Sequence, residues 1–429
     1  MFTVTLRFPR YQQSHNLIST TDIATPRILH VPGTIEDFMT NPALRTQQAF
    51  EDAYGYPAHG VWSAPGRVNL IGEHTDYNGG LVLPFAIDRR TYCAVGLRSD
   101  RLLRVRSETI EGEAIIAIDD LAPQALSGWS AYVLGVAWAL GHGTEGQPGA
   151  DLTAASGLDV YLTSDVPVGA GLSSSAAIEC GIAVALNELW GLGLDRMALA
   201  RAGRLAENVA VGAPTGIMDQ CASLLGEQDH AVFLDCGTET ADSIPLHLDR
   251  DGLTVLVIDT LVTHAHSNGG YAERRAACER GAAALDVPSL RFVEESDLPR
   301  AQALLDEETF RRVRHVVTES GRVAATVRAL REDGANAIGD LLLASHASMR
   351  DDFEISVPEL DLAVESAVRH GAIGARMTGG GFGGAAIAVV AADAAAEIAA
   401  RVTEEFIAAG FGAPRCFTVT PSNGARRDL

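Results

Sequence analysis

Apolar residues in this chain recur with two rhythms, one of period near two and one of period near 3.6, which alternate from about residue 42 to the end. Pro42 to Tyr54 reads as a helix, with Asn41 as N-cap and Pro42 in the first helical position. Val61–Ala64, Thr91–Leu97, Leu102–Arg106 and Ala114–Ile118 have the composition of strands, and Tyr132–Leu140 that of a helix. Leu158–Thr163 alternates as a strand; Ile178, Ile182, Ala185 and Leu189 then recur at helical spacing, so Ser173 to Leu189 predicts a buried helix. A second helix follows from about Arg196 to Val209 and stops near Pro214 and Gly216.

Two strand-like runs, Ala231–Asp235 and Thr254–Asp259, lead into a helix-rich half with Tyr271–Leu285, Phe310–Arg331, Ala337–Arg350 and Pro358–Arg369. The chain closes with a glycine-rich turn at 379–384, a strand Ala385–Val390, a helix Ala394–Ala409 and a strand Cys416–Thr420. Interspersed strands and helices predict an α+β chain of two domains, 41–230 and 231–429, with the boundary inside 215–250. Residues 1–40 are rich in Thr, Ser and Pro without a sustained period, which predicts a disordered extension, and Met39 is a second candidate start.

Composition narrows the function. The net charge of -22 argues against nucleic acid as a partner, because phosphate-backbone affinity needs clustered cations. All 33 basic residues are arginines; the chain contains no lysine. That excludes a P-loop lysine, a protein-kinase strand lysine and any Schiff base. Six scattered cysteines without a C-x-x-C pair read as reduced, core-side residues. No run approaches the ~18 apolar residues of a membrane span, and Arg7 and Pro9 break the first apolar stretch, so the expected compartment is the cytoplasm.

Candidate chemistry concentrates in four places. Arg67-Val-Asn-Leu-Ile-Gly-Glu-His-Thr-Asp-Tyr-Asn-Gly-Gly80 sets Arg67, Glu73, His74 and Asp76 beside the apolar Val68, Leu70 and Ile71, which predict a buried strand with a polar turn after it. Val166-Pro-Val-Gly-Ala-Gly-Leu-Ser-Ser-Ser-Ala-Ala-Ile-Glu179 opens a helix with glycines and three hydroxyls. Converging N–H groups and the positive end of a helix dipole suit phosphate oxygens there, although an ordinary serine N-cap has the same composition. Arg376-Met-Thr-Gly-Gly-Gly-Phe-Gly-Gly384 spends backbone entropy without packing anything, which points to close approach by a ligand or another backbone. Finally, Asp219 lies among apolar and small neighbours and needs a cation, for which Arg67 is a candidate. His264 and His266 have metal-like spacing but no accompanying ligand cluster.

Gly66 to Gly79 closely resembles the signature of the galactokinase family. The 166–179 and 376–384 stretches resemble the second and third motifs of the GHMP kinases, named for galacto-, homoserine, mevalonate and phosphomevalonate kinases. The resemblance implies an ATP-dependent kinase making galactose 1-phosphate with Mg²⁺. Its fold would be a ribosomal-S5-domain-2-like N-terminal domain and a ferredoxin-like C-terminal domain, with the active site in the cleft between them. By position, Asp219 would be the catalytic carboxylate and Arg67 its partner. Glu73, His74, Asp76, Gly216 and Tyr271 would bind the sugar, and Trp129 would pack on adenine. Gly169, Ala170, Gly171, Leu172, Ser173, Ser174 and Ser175 would hold the triphosphate, and Ser174 or Ser175 with Glu207 would lie near Mg²⁺. Ala131 departs from the asparagine many members carry. Without the resemblance, Glu207 reads equally as a surface ion-pair partner of Arg201 or Arg204, Tyr271 as interface packing and Trp129 as a core anchor. Related readings are a kinase for N-acetylgalactosamine or arabinose, and a non-catalytic sugar sensor. Oligomeric state is left open between monomer and homodimer.

Overall fold

A computed structural model describes residues 41–144, 146–263 and 267–429. The expectations about residues 1–40, and the His264 and His266 pair, lie outside the described residues. The elements that matter below begin with helix α1 (Pro42–Tyr54), strand β1 (Gly60–Asn69), β2 (Leu81–Val82), β3 (Pro84–Leu97), β4 (Leu102–Ser107) and β5 (Ala114–Ala117). After these come α2 (Ala131–His142), β6 (Leu158–Ser164), α3 (Ser174–Leu189), α4 (Arg196–Leu205), α5 (Met218–Leu225), β7 (His230–Asp235) and β8 (Thr240–Pro245). The remainder comprises β9 (Leu253–Thr263), α6 (Ser267–Ala284), α7 (Glu307–Glu332), α8 (Gly339–Ser348), α9 (Pro358–Arg369), β10 (Gly374–Thr378), β11 (Gly383–Ala391), α10 (Ala395–Ala408), β12 (Arg415–Val419) and β13 (Arg426–Arg427).

Three sheets organise these elements. A six-stranded sheet has the order β13-β1-β3-β6-β4-β5, in which only β4 and β6 run parallel. Helices α2 to α5 cover one side of it, and Trp62, Val95, Leu158, Ile182 and Leu199 belong to the core between them. A four-stranded antiparallel sheet, β10-β11-β9-β12, packs against α9 and α10 around Leu256, Leu360 and Phe406. The small sheet β8-β7-β2 joins them. A third core runs through Val68, Leu83, Val255, Val323 and Ile387, so residues from both ends of the chain share one apolar interior.

The sequence reading located most elements and misjudged several ends. Asn41 does cap α1, its side chain accepting from the N–H groups of Ala43 and Leu44. Strand β1 runs through to Asn69, past Pro65 and Gly66, which ordinarily count against a strand. A register shift between Pro65 and Arg67 absorbs the proline. The helix expected to Val209 is α-helical only to Leu205 and widens into a π-turn over Ala206–Val211. Helix α5 and strand β8 were not foreseen; α5 is only eight residues long. Residues at the C-terminal end return to the N-terminal sheet, where Arg426 and Arg427 pair with Ser63 and Trp62.

Candidate active site

The strand β1 delivers Arg67 to the mouth of a cavity of about 630 Å³. Bidentate contact follows: Arg67 Nε and Nη2 donate to the two Asp219 oxygens at 2.7 and 2.9 Å. Asp219 occupies the first turn of α5 and also accepts from the Ser173 hydroxyl. The third arm of Arg67, Nη1, donates to the carbonyl of Gly171. One guanidinium thus fixes the candidate catalytic carboxylate to the glycine- and serine-rich loop.

That loop is bent by glycines. Gly169 and Gly171 have φ of 81° and 68°, a region open to glycine without strain. Ser173 also has positive φ, 54°, and occupies the N-cap position of α3 without making a cap hydrogen bond. The ordinary serine-cap reading therefore fails: its hydroxyl turns to Asp219 instead. A smaller cavity of about 240 Å³ is lined by Gly169, Gly171, Leu172 and Ser173 to Ser175, at the N-terminus of the sixteen-residue α3. Ala170 is buried within the same turn. The second glycine-rich stretch backs directly on the first. A Cβ on Gly171 would lie 3.2 Å from the Thr378 carbonyl oxygen, and one on Gly379 3.2 Å from the Cα of Gly171. The expectation of close backbone approach holds, and the partner is the other loop.

The polar turn after β1 lines the larger cavity, but its side chains have unequal capacity. Glu73 is buried and takes four donors, from Asn69, Arg376, Thr378 and Gly379, which fills what a carboxylate accepts. Burial pushes its pKa up, against the pull of Arg376 and the Gly379 N–H. His74 is held neutral, its pKa lowered to about 3 by burial and by the neighbouring His315. Its Nε2 donates to the Gly380 carbonyl at 3.2 Å, and Nδ1 accepts from Tyr77 at 2.8 Å, so both nitrogens are in use. Asp76 differs. Its carboxylate accepts from the Tyr77 N–H, and no side chain donates to it among the described residues. Burial, then the charge of Asp219, pushes its pKa up to about 6. Gly216 is required beside it, because a Cβ there would overlap Asp76 Oδ2. Tyr271, one turn into α6, stacks near His74 with ring centroids 4.9 Å apart.

Glu207 is buried in the π-turn, where Thr215 and Gln220 donate to it at 2.9 Å each and the Ser175 hydroxyl is within reach. Arg201 and Arg204 pair with Glu239 instead, which removes the surface ion-pair reading. Gln220 also donates to the fully buried Glu179 at 2.8 Å. Burial first, then neighbouring negative charge, raises both carboxylates. A hard divalent cation suits this donor set: hydroxyl and carboxylate oxygens beside a phosphate-sized cavity, with no guanidinium paired to Glu207 among the described residues. Ser174 lines that cavity as well, so either serine is placed for the role. Trp129 is half-buried against the N-terminal core and lines neither cavity.

Several residues of this site had no role assigned from sequence. Tyr132 and Thr215 line the larger cavity, Gln220 links two buried carboxylates, and Arg376 and Thr378 hold Glu73. Arg376, Thr378 and Glu179 do lie inside the quoted motifs, which was the available signal.

Comparison with known proteins identifies the family. Residues 48–97 match the galactokinase galactose-binding signature, 131–227 the GHMP kinases N terminal domain and 326–408 the GHMP kinases C terminal model. A galactokinase of Streptomyces coelicolor is 51% identical over 383 residues, covering 89% of this chain and 97% of that protein. One from Mycobacterium tuberculosis is 43% identical over 364 residues, covering 85% and 98%. Among solved structures, Lactococcus lactis galactokinase complexed with galactose superposes with a TM-score of 0.79 at 32% identity, covering 89% of this chain and 98% of that one. A Methanococcus jannaschii mevalonate kinase, 18% identical with a TM-score of 0.59, shares the fold, covering 85% and 99%.

Proposed function

Because this chain belongs to the galactokinase family of the GHMP kinases, an ATP-dependent group of sugar kinases, we propose that it transfers the γ-phosphoryl group of ATP to the C1 hydroxyl of galactose, and that the residues described above divide the work as follows. The observation that carries this reading is the junction of the two cavities. Both are lined by Arg67, Asp219, Gly379 and Gly380, so the two cavities adjoin at the Arg67–Asp219 pair and the glycines beside it.

Asp219 is the acceptor for the C1 hydroxyl proton, and Arg67 keeps that carboxylate in one orientation while placing positive charge where the phosphoryl group crosses. The Gly169–Ser175 loop and the α3 N-terminus receive the phosphates through backbone N–H groups and hydroxyls, with no lysine needed. Asp76 is the open acceptor for sugar hydroxyls, with Tyr271 and Gly216 shaping the wall around it. Glu73 and His74 line the same wall with their polar atoms already paired. Mg²⁺ would be held by Ser174 or Ser175 and Glu207, and supplies charge neutralisation to the phosphates. Trp129 is the adenine-side aromatic by position in the motif. In domain terms the reading divides 41–230 from 231–429, and ATP as co-substrate fits a cytoplasmic enzyme.

An ADP-release assay across galactose, N-acetylgalactosamine, arabinose and glucose tests the function. Galactose should give the highest kcat/KM; absence of turnover with galactose refutes the proposal. In the same assay Asp219→Asn should lower kcat by about 10²–10⁴ while galactose still binds.

A further inference from the structure

Behind the sugar-side turn lies a buried ionic web that the transfer reaction itself does not use. Arg376 on β10 is fully buried; its Nη2 donates to Glu73 Oε2 at 2.7 Å and stands 3.8 Å from Glu319 Oε1 on α7. Its Nη1 donates to the carbonyl of Asn69 at 3.2 Å. Glu319, equally buried, accepts from the Gly72 N–H at 3.0 Å, from the Ser345 hydroxyl at 2.6 Å and from Arg322 at 2.7 Å. Burial works to raise the pKa of Glu319, yet Arg322 and Arg376 hold it down at about 2, so it stays charged. From the other side, the Gly379 N–H donates to Glu73 Oε1 at 2.7 Å, and the single Thr378 hydroxyl proton is shared between Glu73 Oε1 at 3.0 Å and the Asn69 carbonyl at 3.1 Å.

These contacts join two things in particular. One is the backbone from Asn69 to Glu73, which follows Arg67 and precedes Asp76. The other is Gly379, the first residue of the loop that lies against Gly171 of the phosphate-side turn. Burying three such charges costs more than apolar packing would, and what ions add over packing is direction. We infer that Arg376, with Thr378 and Glu319, forms a positioning unit that locks the sugar-side turn to the glycine loop, so that occupancy of one substrate cavity orders the other. None of the three touches substrate in this account; they act through Glu73 and Gly379. The inference rests on the two-substrate reading above.

Calorimetric titration tests it: galactose with and without a non-hydrolysable ATP analogue plus Mg²⁺, and the analogue with and without galactose. In wild-type protein each ligand should tighten the other by the same factor, within about 5–150-fold. Thr378→Val preserves shape and removes the donor. It should bind the analogue alone as wild type does, keep its melting temperature within a few degrees, and lose most of the mutual tightening, with kcat falling more than the KM for ATP rises. Arg376→Met should act in the same direction and more strongly where it folds. A merely structural role would lower melting temperature and leave the coupling factor intact. Wild-type protein that binds galactose with no mutual tightening, or Thr378→Val that retains it, overturns the inference and leaves the functional reading standing. Wild-type protein that binds no galactose overturns both.

Discussion

At the scale of single residues, the cavity holds carboxylates in contrasting states. Glu73 is saturated, Asp219 is paired with Arg67 and Ser173 but has room for one further donor, and Asp76 keeps most of its acceptor capacity, with its pKa pushed up to about 6 by burial and by Asp219. The sign follows directly. Above about pH 6 Asp76 is a carboxylate able to accept hydrogen bonds from hydroxyls; as pH falls through 6 it takes a proton and loses acceptor strength. The KM for galactose should therefore rise as pH drops from 7 to 5, while the KM for ATP changes less, and Asp76→Asn should flatten that limb. A steady-state pH profile measured at fixed, saturating ATP checks both. A further consequence concerns stability: an acid whose folded pKa is raised destabilises the fold once ionised, so Asp76→Asn should melt no lower than wild type at pH 7.5.

At the scale of elements, helix α3 shows how an active site borrows from secondary structure. A serine at an N-cap ordinarily contributes about 1 kcal/mol through its side-chain bond to the first turn. Ser173 makes no such bond, and its φ of 54° lies where a side chain is strained by roughly 1–2 kcal/mol. Ser173→Gly should thus leave the melting temperature unchanged or raised, and lower kcat about tenfold by releasing Asp219. Loss of stability in that variant, measured by thermal denaturation, would contradict the account. The same helix explains what sequence could and could not tell. Its apolar spacing gave its extent to within a residue, α1 and α9 were equally legible, and α7 was found but begins three residues before the expected Phe310. The ion pair of Arg67 with Asp219 was anticipated because a partly buried aspartate needs a cation and one motif supplied it. Short elements such as α5 and β8 were missed, since eight and six residues hold too few periods to register. The saturation of Glu73 was invisible for another reason. It depends on β10 and the residue after it arriving from some 303 to 306 residues away, and tertiary contact of that range leaves no local pattern.

Across the whole molecule, the last residues complete the first sheet. Arg90 on β3 is buried and donates to Ser63 Oγ at 2.9 Å, to the Asn423 carbonyl at 2.7 Å and to the Gly424 carbonyl at 2.9 Å. Arg90→Met would keep the apolar stem but strand those carbonyls, at a cost of about 3–5 kcal/mol. The expected outcome is a lower melting temperature with KM values for both substrates unchanged, because Arg90 lines neither substrate cavity. An altered KM would show that the tail also shapes the site.

The meeting of the two glycine loops has a mechanical meaning. Where Gly171 faces Gly379 the surfaces in contact are bare peptide, so no rotamer is frozen when they approach and none is released when they part. Such a seam has no side chains to yield, so a displacement or an added methyl group on one loop is passed directly to the other. A chain that must admit two substrates and release two products gains from a joint of that kind.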